Sequence, residues 1–430
     1  MRLMRTSFHK PYLTLLALVA ALCTAPSAVR ADDVKLDISS GATSRLPIRC
    51  VALTPAGDRD ARTTSTQADQ VLADDLAHSA VFAVGRSWDA ATDVADPQGI
   101  VGGRWTVTGS NITLAGEVHD PHQNKLILSV TFKGTRANVR SLAHQFADAV
   151  IQQFTGERGI SSTRIAFVVR EGRTRELWIM DADGYDPHPL THDHSIVLSP
   201  SFSPEGSLLA FTSYRGGGPQ LWVMSLADSK PVLLSGRKGI NACATYSPDG
   251  RSIACTLSQD GNSEVYVLDA RGGSPQRLTT TRGIDTAPSW APTGRQIAFT
   301  SDRAGTPQVY VMDAEGTNPR RLTYDLDYTD SPAWSPKGDR IAFVARTNEG
   351  FDIYLCKPDG EGAIRAVTGG SNENPRWSPD ARHLVFSSDR DGARALWITD
   401  LDGTPPRKID TGGRKALSPA WSPRPAALTP

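Results

Sequence analysis

Short apolar runs alternate with polar positions along most of this chain, and from residue 165 onward they recur at a nearly fixed interval. Aliphatic-Ala-Phe type triplets begin at Ile165, Leu209, Ile253, Ile297, Ile341 and Leu384, in steps of 44, 44, 44, 44 and 43 residues. An aromatic, a small residue and proline keep the same beat: Phe202-Ser203-Pro204, Tyr246-Ser247-Pro248, Trp290-Ala291-Pro292, Trp334-Ser335-Pro336, Trp377-Ser378-Pro379 and Trp421-Ser422-Pro423. A third apolar strand marker starts at Leu177, Leu221, Val265, Val309, Ile353 and Leu396. Turn chemistry separates these runs. Ser247-Pro248-Asp249-Gly250 sets proline early, where its fixed φ suits a turn, and glycine where positive φ is needed; Asp313-Ala314-Glu315-Gly316 serves the next connection. Four short strands per unit is the rhythm of a propeller blade, so the repeats predict an all-β six-bladed propeller over residues 160–430.

Closure is legible too. Ile165-Ala166-Phe167 has no aromatic-Ser-Pro strand ahead of it, and Ala420-Trp421-Ser422-Pro423 has no triplet after it. The two orphans complement each other, which predicts that the last strand becomes the innermost strand of the first blade and leaves no open edge. Ahead of the repeats the pattern changes. Strands are expected at 34–38, 46–53, 81–84, 105–108, 112–118 and 126–132. Two helices interleave with them. One follows Ser65, with Val71, Leu72, Leu76 and Ala80 at helical spacing; the other follows Asn138 as cap, with Val139, Leu142, Phe146, Val150 and Phe154. Residues 32–155 therefore read as an α/β amino-terminal domain, joined by a linker at 155–159 short enough to hold the domains in contact.

The first 31 residues read as a secretory signal. Arg2, Arg5 and Lys10 precede an apolar stretch, Leu13 to Leu22, and Val29-Arg30-Ala31 offers small residues at the positions a signal peptidase needs, so the mature chain is expected to start near Asp32. Leu22 argues against lipidation of Cys23. The chain carries 46 basic and 46 acidic side chains, and removal of the signal leaves 42 against 46, a net charge of −4. Neither a nucleic acid nor an anionic membrane is favoured as partner by that balance, and no direct membrane insertion is expected. Four cysteines remain. If Tyr246 pairs with Ser252 across its hairpin, Cys243 falls opposite Cys255; two buried thiols are preferred over a bridge, because cross-strand disulfides need restrictive geometry.

Candidate chemistry is sparse. The chain has no Gly-x-Ser-x-Gly elbow, His-Glu-x-x-His, P-loop or Cys-x-x-Cys. His188, His192, Asp193 and His194 are the best metal constellation, but solvated loop histidines are the preferred reading; His119 and His122, flanking Asp120-Pro121, carry less weight. No enzyme activity, metal or cofactor is expected. Loops entering each blade, such as 239–242, 283–287 and 370–374, differ among repeats whereas the opposite turns are uniform, which predicts one asymmetric binding face. Asp302-Arg303 and Asp389-Arg390 recur in register and read as blade-stabilising charge pairs.

These features together resemble the TolB family: a signal peptide, Leu72-Ala73-Asp74-Asp75-Leu76 with Ser79 and Phe82, the junction Phe154-Thr155-Gly156 to Thr163-Arg164-Ile165-Ala166-Phe167, and six Trp-Ser-Pro-type blades. The resemblance spans essentially the whole mature chain. It implies a non-catalytic periplasmic protein of the Tol-Pal system whose propeller face binds the lipoprotein Pal. An extended amino-terminal segment would engage TolA, in support of outer-membrane integrity and constriction during cell division; some colicins and phages parasitise the system. Carried over by position, the Pal-facing loops correspond to Asn241 and Thr286 with neighbours Ile240, Asp285 and Ala287. The TolA segment corresponds to Asp32, Asp33, Val34, Lys35, Leu36, Asp37 and Ile38. Two departures stand out: Ile240 replaces a histidine frequent in relatives, and Ala287 replaces an acidic residue. The alternative is a periplasmic propeller that binds or hydrolyses a small ligand in its central channel.

Overall fold

Two-residue alternation along long strands, buried against partly exposed in Asn111–Asp120 and partly exposed against exposed in Lys125–Thr135, accompanies two helices in the first part of the computed structural model, which describes residues 45–426. The leader and the expected strand at 34–38 lie outside the described residues. Leu46–Cys50 and Phe82–Arg86 pair in parallel, joined through helix α1 (Ala61–Ala77). Leu46–Cys50 also pairs in parallel with Ile100–Thr108, which leads into the antiparallel ribbon Asn111–Asp120 and Lys125–Thr135. Helix α2 (Val139–Thr155) packs beside α1, and together they bury Leu72, Leu76, Trp105, Leu142, Phe146 and Val150 in one core. Close approach explains Gly116: a Cβ there would meet the Phe146 ring at 2.5 Å.

Three local expectations need correction. The strand from Leu46 stops at Cys50, and a separate strand, Thr54–Gly57, pairs with Arg104 to Val107. Helix α1 starts at Ala61, so Ser65 is not its cap. The Ser65 hydroxyl donates to the Arg62 carbonyl at 2.9 Å, and Thr64 and Thr66 bond backwards in the same way, which lets a hydroxyl-rich run stay helical. Ala80 lies beyond the helix end with φ +58°. The second helix follows Asn138, as its spacing predicts, and ends at Gly156 in the left-handed conformation.

The repeats form six four-stranded antiparallel sheets. In blade 3, for example, the strands are Asn241–Tyr246, Ser252–Leu257, Glu264–Asp269 and Gln276–Arg277, from the channel outward. Blade 1 takes its innermost strand, Ala416–Trp421, from the far end of the propeller; it pairs antiparallel with Arg164–Glu171. The Trp421 indole donates to Thr163 at 2.8 Å and the Ser422 amide to the Arg164 carbonyl at 2.8 Å. The triplet's third residue fills the space between blades: Phe167, Phe211, Phe299, Phe343 and Phe386 are fully buried, with Cys255 in the equivalent place in blade 3.

Every innermost strand carries a bulge that simple alternation misses. Ser199, Cys243, Ala287, Ser331, Asn374 and Ser418 all have φ between +45° and +55°, and pairing to the second strand shifts by one residue across them. Tyr246 therefore faces Ile253 rather than Ser252, and Cys243 sits in the bulge rather than opposite Cys255; both are free thiols. A proline two residues ahead of the aromatic, in all blades but the third, is the sequence signal for this bulge.

Candidate protein-interaction face

The loops that enter the six innermost strands lie at one end of the propeller, and side chains of their own blade or of the preceding one tie them down: Glu176 of blade 1 accepts the His194 amide at 2.6 Å, and Gln308 of blade 4 donates to the Leu326 carbonyl at 2.8 Å. In blade 3 the tie is Asn241, which is fully buried. Its carbonyl oxygen accepts from the Ser235 hydroxyl at 2.8 Å and the Arg237 amide at 3.0 Å. Its amide group donates to the carbonyls of Arg237 at 2.8 Å, Pro219 at 3.2 Å and Gly239 at 3.2 Å. Asn241 therefore shapes the loop from beneath, and Ile240 is the side chain presented outward, 42% exposed. Blade 4 repeats the plan with different chemistry. Asp285 is buried and accepts from Arg303 at 2.8 Å, Ile284 is 52% exposed, Thr286 is partly exposed, and Ala287 occupies the bulge. Burial pushes the Asp285 carboxyl up from its ordinary value, with the Ser301 hydroxyl and the Arg303 guanidinium opposing.

The Asp-Arg dipeptides, expected to be blade-stabilising charge pairs, each bond to the loop that enters their own blade. Asp302 accepts the Ile284 amide at 2.6 Å while Arg303 reaches Asp285 and lies over Phe299 and Tyr310. Asp389 likewise accepts the Ser371 amide at 2.7 Å, and Arg390 donates to Asn372 at 2.9 Å over Phe386 and Trp397. In blade 2 the partner of Arg215 is Asp193, at 2.6 Å. The dipeptides are thus loop braces. Asp193 is spent on that brace, the His194 amide donates to Glu176 at 2.6 Å, and His188 bonds the Asp186 carbonyl at 2.8 Å, so the sequence cluster does not converge on one point. His119 meets Glu117 at 3.2 Å and His122 meets Asp96 at 3.5 Å, both at the surface. Asp32 to Ile38 lie outside the described residues.

Sequence reasoning missed a second polar region, between the α/β domain and the opposite, turn-bearing face of blades 1 and 6. Arg45 donates to Asp400 and Asp402, each at 2.8 Å; Arg140 pairs with Asp183 and stacks on Tyr185. His144 meets Asp75 at 2.6 Å in the buried seam, where burial pushes the Asp75 carboxyl up to about 6 and His144 opposes it. Asp75, His144 and Asp183 are near enough to share a cation, yet Asp183 is committed to Arg140. Asp148 accepts the amides of Ser161 at 2.7 Å and Ser162 at 3.1 Å, fixing the linker's exit into the propeller. No helix among the described residues is long and apolar enough to cross a membrane.

Comparison with known proteins agrees with this architecture. Residues 151–425 match the family model described as the TolB beta propeller domain, and residues 34–135 match the TolB amino-terminal domain. The Tol-Pal system protein TolB of Geobacter sulfurreducens is 37% identical over 214 residues, covering 45% of this chain and 48% of that protein. Its counterpart in Bordetella parapertussis is 31% identical over 222 residues, 48% of each. The chain thus aligns with about half the length of these curated relatives. The crystal structure of TolB from Acinetobacter baumannii superposes with a TM-score of 0.78 at 24% identity, covering 88% of this chain and 97% of that one, and shows the same fold. With both family models matched in order and the α/β domain followed by six blades, the chain belongs to the TolB family.

Proposed function

We propose that this protein is a non-catalytic interaction component of a Tol-Pal system in the periplasm. It binds Pal through the entering-loop face of the propeller and TolA through the segment Asp32 to Ile38, in support of outer-membrane integrity and constriction at division. The observation that carries the reading is the match of both TolB domain models in order, on a chain whose relatives are named Tol-Pal system proteins. The geometry of the loops supports the choice of face. Ile240 and Ile284 project from neighbouring blades, with Thr286 and Ala287 beside them, while buried Asn241 and Asp285 hold the loops that carry them. Apolar side chains on braced loops suit a protein partner, because little conformational entropy is lost on docking.

Calorimetric titration with the soluble domain of Pal from the same organism tests the reading. The expected result is stoichiometric binding, weakened at least tenfold by Ile240→Asp or Thr286→Arg. Binding that survives both changes would move the site elsewhere, and absence of binding between folded partners would remove Pal from the proposal.

A further inference from the structure

The inner wall of the propeller presents one residue per blade at the level just past the bulge: Ser201, Thr245, Ser289, Ala333, Arg376 and Ala420, spaced 44, 44, 44, 43 and 44 residues apart. All six line a funnel of about 420 Å³ that opens among the aromatic-Ser-Pro turns, at the end opposite the entering loops. Five are small. The sixth is a guanidinium with one hydrogen bond among the described residues, from Nη1 to the Pro375 carbonyl at 3.0 Å, and with no carboxylate within ion-pair distance among them. The acid on its own innermost strand, Glu373, pairs with Arg394 at 3.0 Å, and the acid on the preceding blade's innermost strand, Asp330, accepts from Thr300 at 2.8 Å. Arginine offers five donors in a planar fork, so most of the donors of this funnel-lining side chain have no partner among the described residues.

A cation in a narrow protein-walled channel without a counter-charge costs free energy unless an anion completes it. Burial lowers the affinity of Arg376 for its proton. Hydroxyl donors stand at the same level on blades 2, 3 and 4. Ser289 accepts from the Trp334 amide at 3.0 Å, which leaves its hydroxyl proton free to point inward.

We propose that the funnel is a binding site for a small oxyanion, a phosphate or carboxylate group, held by the Arg376 fork and by hydroxyls of Ser201, Thr245 and Ser289. The guanidinium supplies charge-assisted, bidentate recognition, and the hydroxyls on the facing blades take the remaining oxygens. The volume exceeds that of a bare phosphate several-fold, so the anionic group is one end of a larger molecule or is accompanied by water. The site is separate from the entering-loop face and does not depend on the function proposed there.

The test uses the full mature chain with sodium phosphate, sulfate and acetate as separate probes, at constant ionic strength against chloride. A ligand that binds only the native state raises the melting temperature saturably. Phosphate and sulfate acting without acetate would identify a tetrahedral anion, and acetate acting alone a carboxylate; either supports the site. Arg376→Met should remove the saturable rise while melting in chloride at or above the wild-type temperature, because an unpaired cation is lost. Thr245→Val/Ser289→Ala, which keeps the charge, should weaken binding several-fold, read also by phosphorus line broadening. No saturable response to any probe in the wild type, or an equal response in Arg376→Met, overturns the proposal.

Discussion

Arg303→Met probes the brace beneath the proposed face. The change removes the donor to Asp285 at 2.8 Å and the donor to the Ser301 hydroxyl at 2.8 Å. It leaves a fully buried carboxylate whose Oδ1 already lacks a hydrogen-bond partner among the described residues. Breaking a buried ion pair from one side costs about 3–5 kcal/mol. Two features set this case near the lower end: the Arg303 side chain is 18% exposed, so water can reach Asp285 once it is gone, and methionine keeps part of the packing over Phe299 and Tyr310. A loss of about 3 kcal/mol corresponds to amide exchange on the order of 100-fold faster in the loop and strand from 283 to 290. Hydrogen exchange read by mass spectrometry on that peptide is the assay, with the blade 5 loop as internal reference. Asp285→Asn/Arg303→Met should recover most of the protection, because no charge is left buried. Unchanged exchange in the single variant, or a double variant no better protected than the single, would refute the assignment of Arg303 as the loop's electrostatic brace.

Two further outcomes follow from buried groups. Asp69 accepts the Leu53 amide at 2.8 Å, and burial pushes its carboxyl up to about 6, so its contribution to stability is fully present below the unfolded value near 3.8 and is lost as pH rises through about 6. At 1.36 kcal/mol per unit the whole loss is about 3 kcal/mol, of which about 1.4 falls between pH 5 and pH 8; the stability of Asp69→Asn relative to wild type in urea should rise by that amount across the interval, and a pH-independent difference would contradict it. Trp421→Ala removes a side chain that donates to Thr163 at 2.8 Å and stacks on His383 at 6.1 Å, for an expected cost of about 3–5 kcal/mol; calorimetry should show the propeller melting on the order of 10 °C lower, and an unchanged transition would mean that the closing strand carries little of the stability.

The propeller was legible because its markers are physical requirements that recur from blade to blade: an aromatic between blades, with Cys255 in that place in blade 3; a proline in a turn; and a residue at positive φ two positions after it, glycine in blades 2 to 5 and Ala381 in blade 6. The bulge was not, because simple alternation runs straight through it; the proline two residues ahead of the aromatic, in all blades but the third, marks the place. At the candidate face, position along the chain located the loops but not the orientation of each side chain. Asn241 is polar and would pass for a contact, yet its five hydrogen bonds all turn inward. Recurring Asp302-Arg303 and Asp389-Arg390 showed that something was held in register, while the partners lie 18 residues upstream, a separation that no local pattern reports. The seam between domains was invisible for the same reason: Arg45 and Asp400 are 355 residues apart.

Ring closure in blade 1 has a mechanical consequence. Everywhere else neighbouring blades are joined by covalent backbone, but around blade 1 the last strand is held to Arg164–Glu171 by hydrogen bonds and packing alone. The α/β domain enters the propeller at that same strand, and Arg158 and Arg424 add bonds to the Pro425 and Gly159 carbonyls at 3.0 and 3.2 Å. Tension applied through the amino-terminal domain therefore arrives at the one joint of the ring that can part without breaking a covalent bond. The strands there lie antiparallel, so pulling on the start of Arg164–Glu171 against the end of Ala416–Trp421 would load their hydrogen bonds one after another, as a zipper opens from its end.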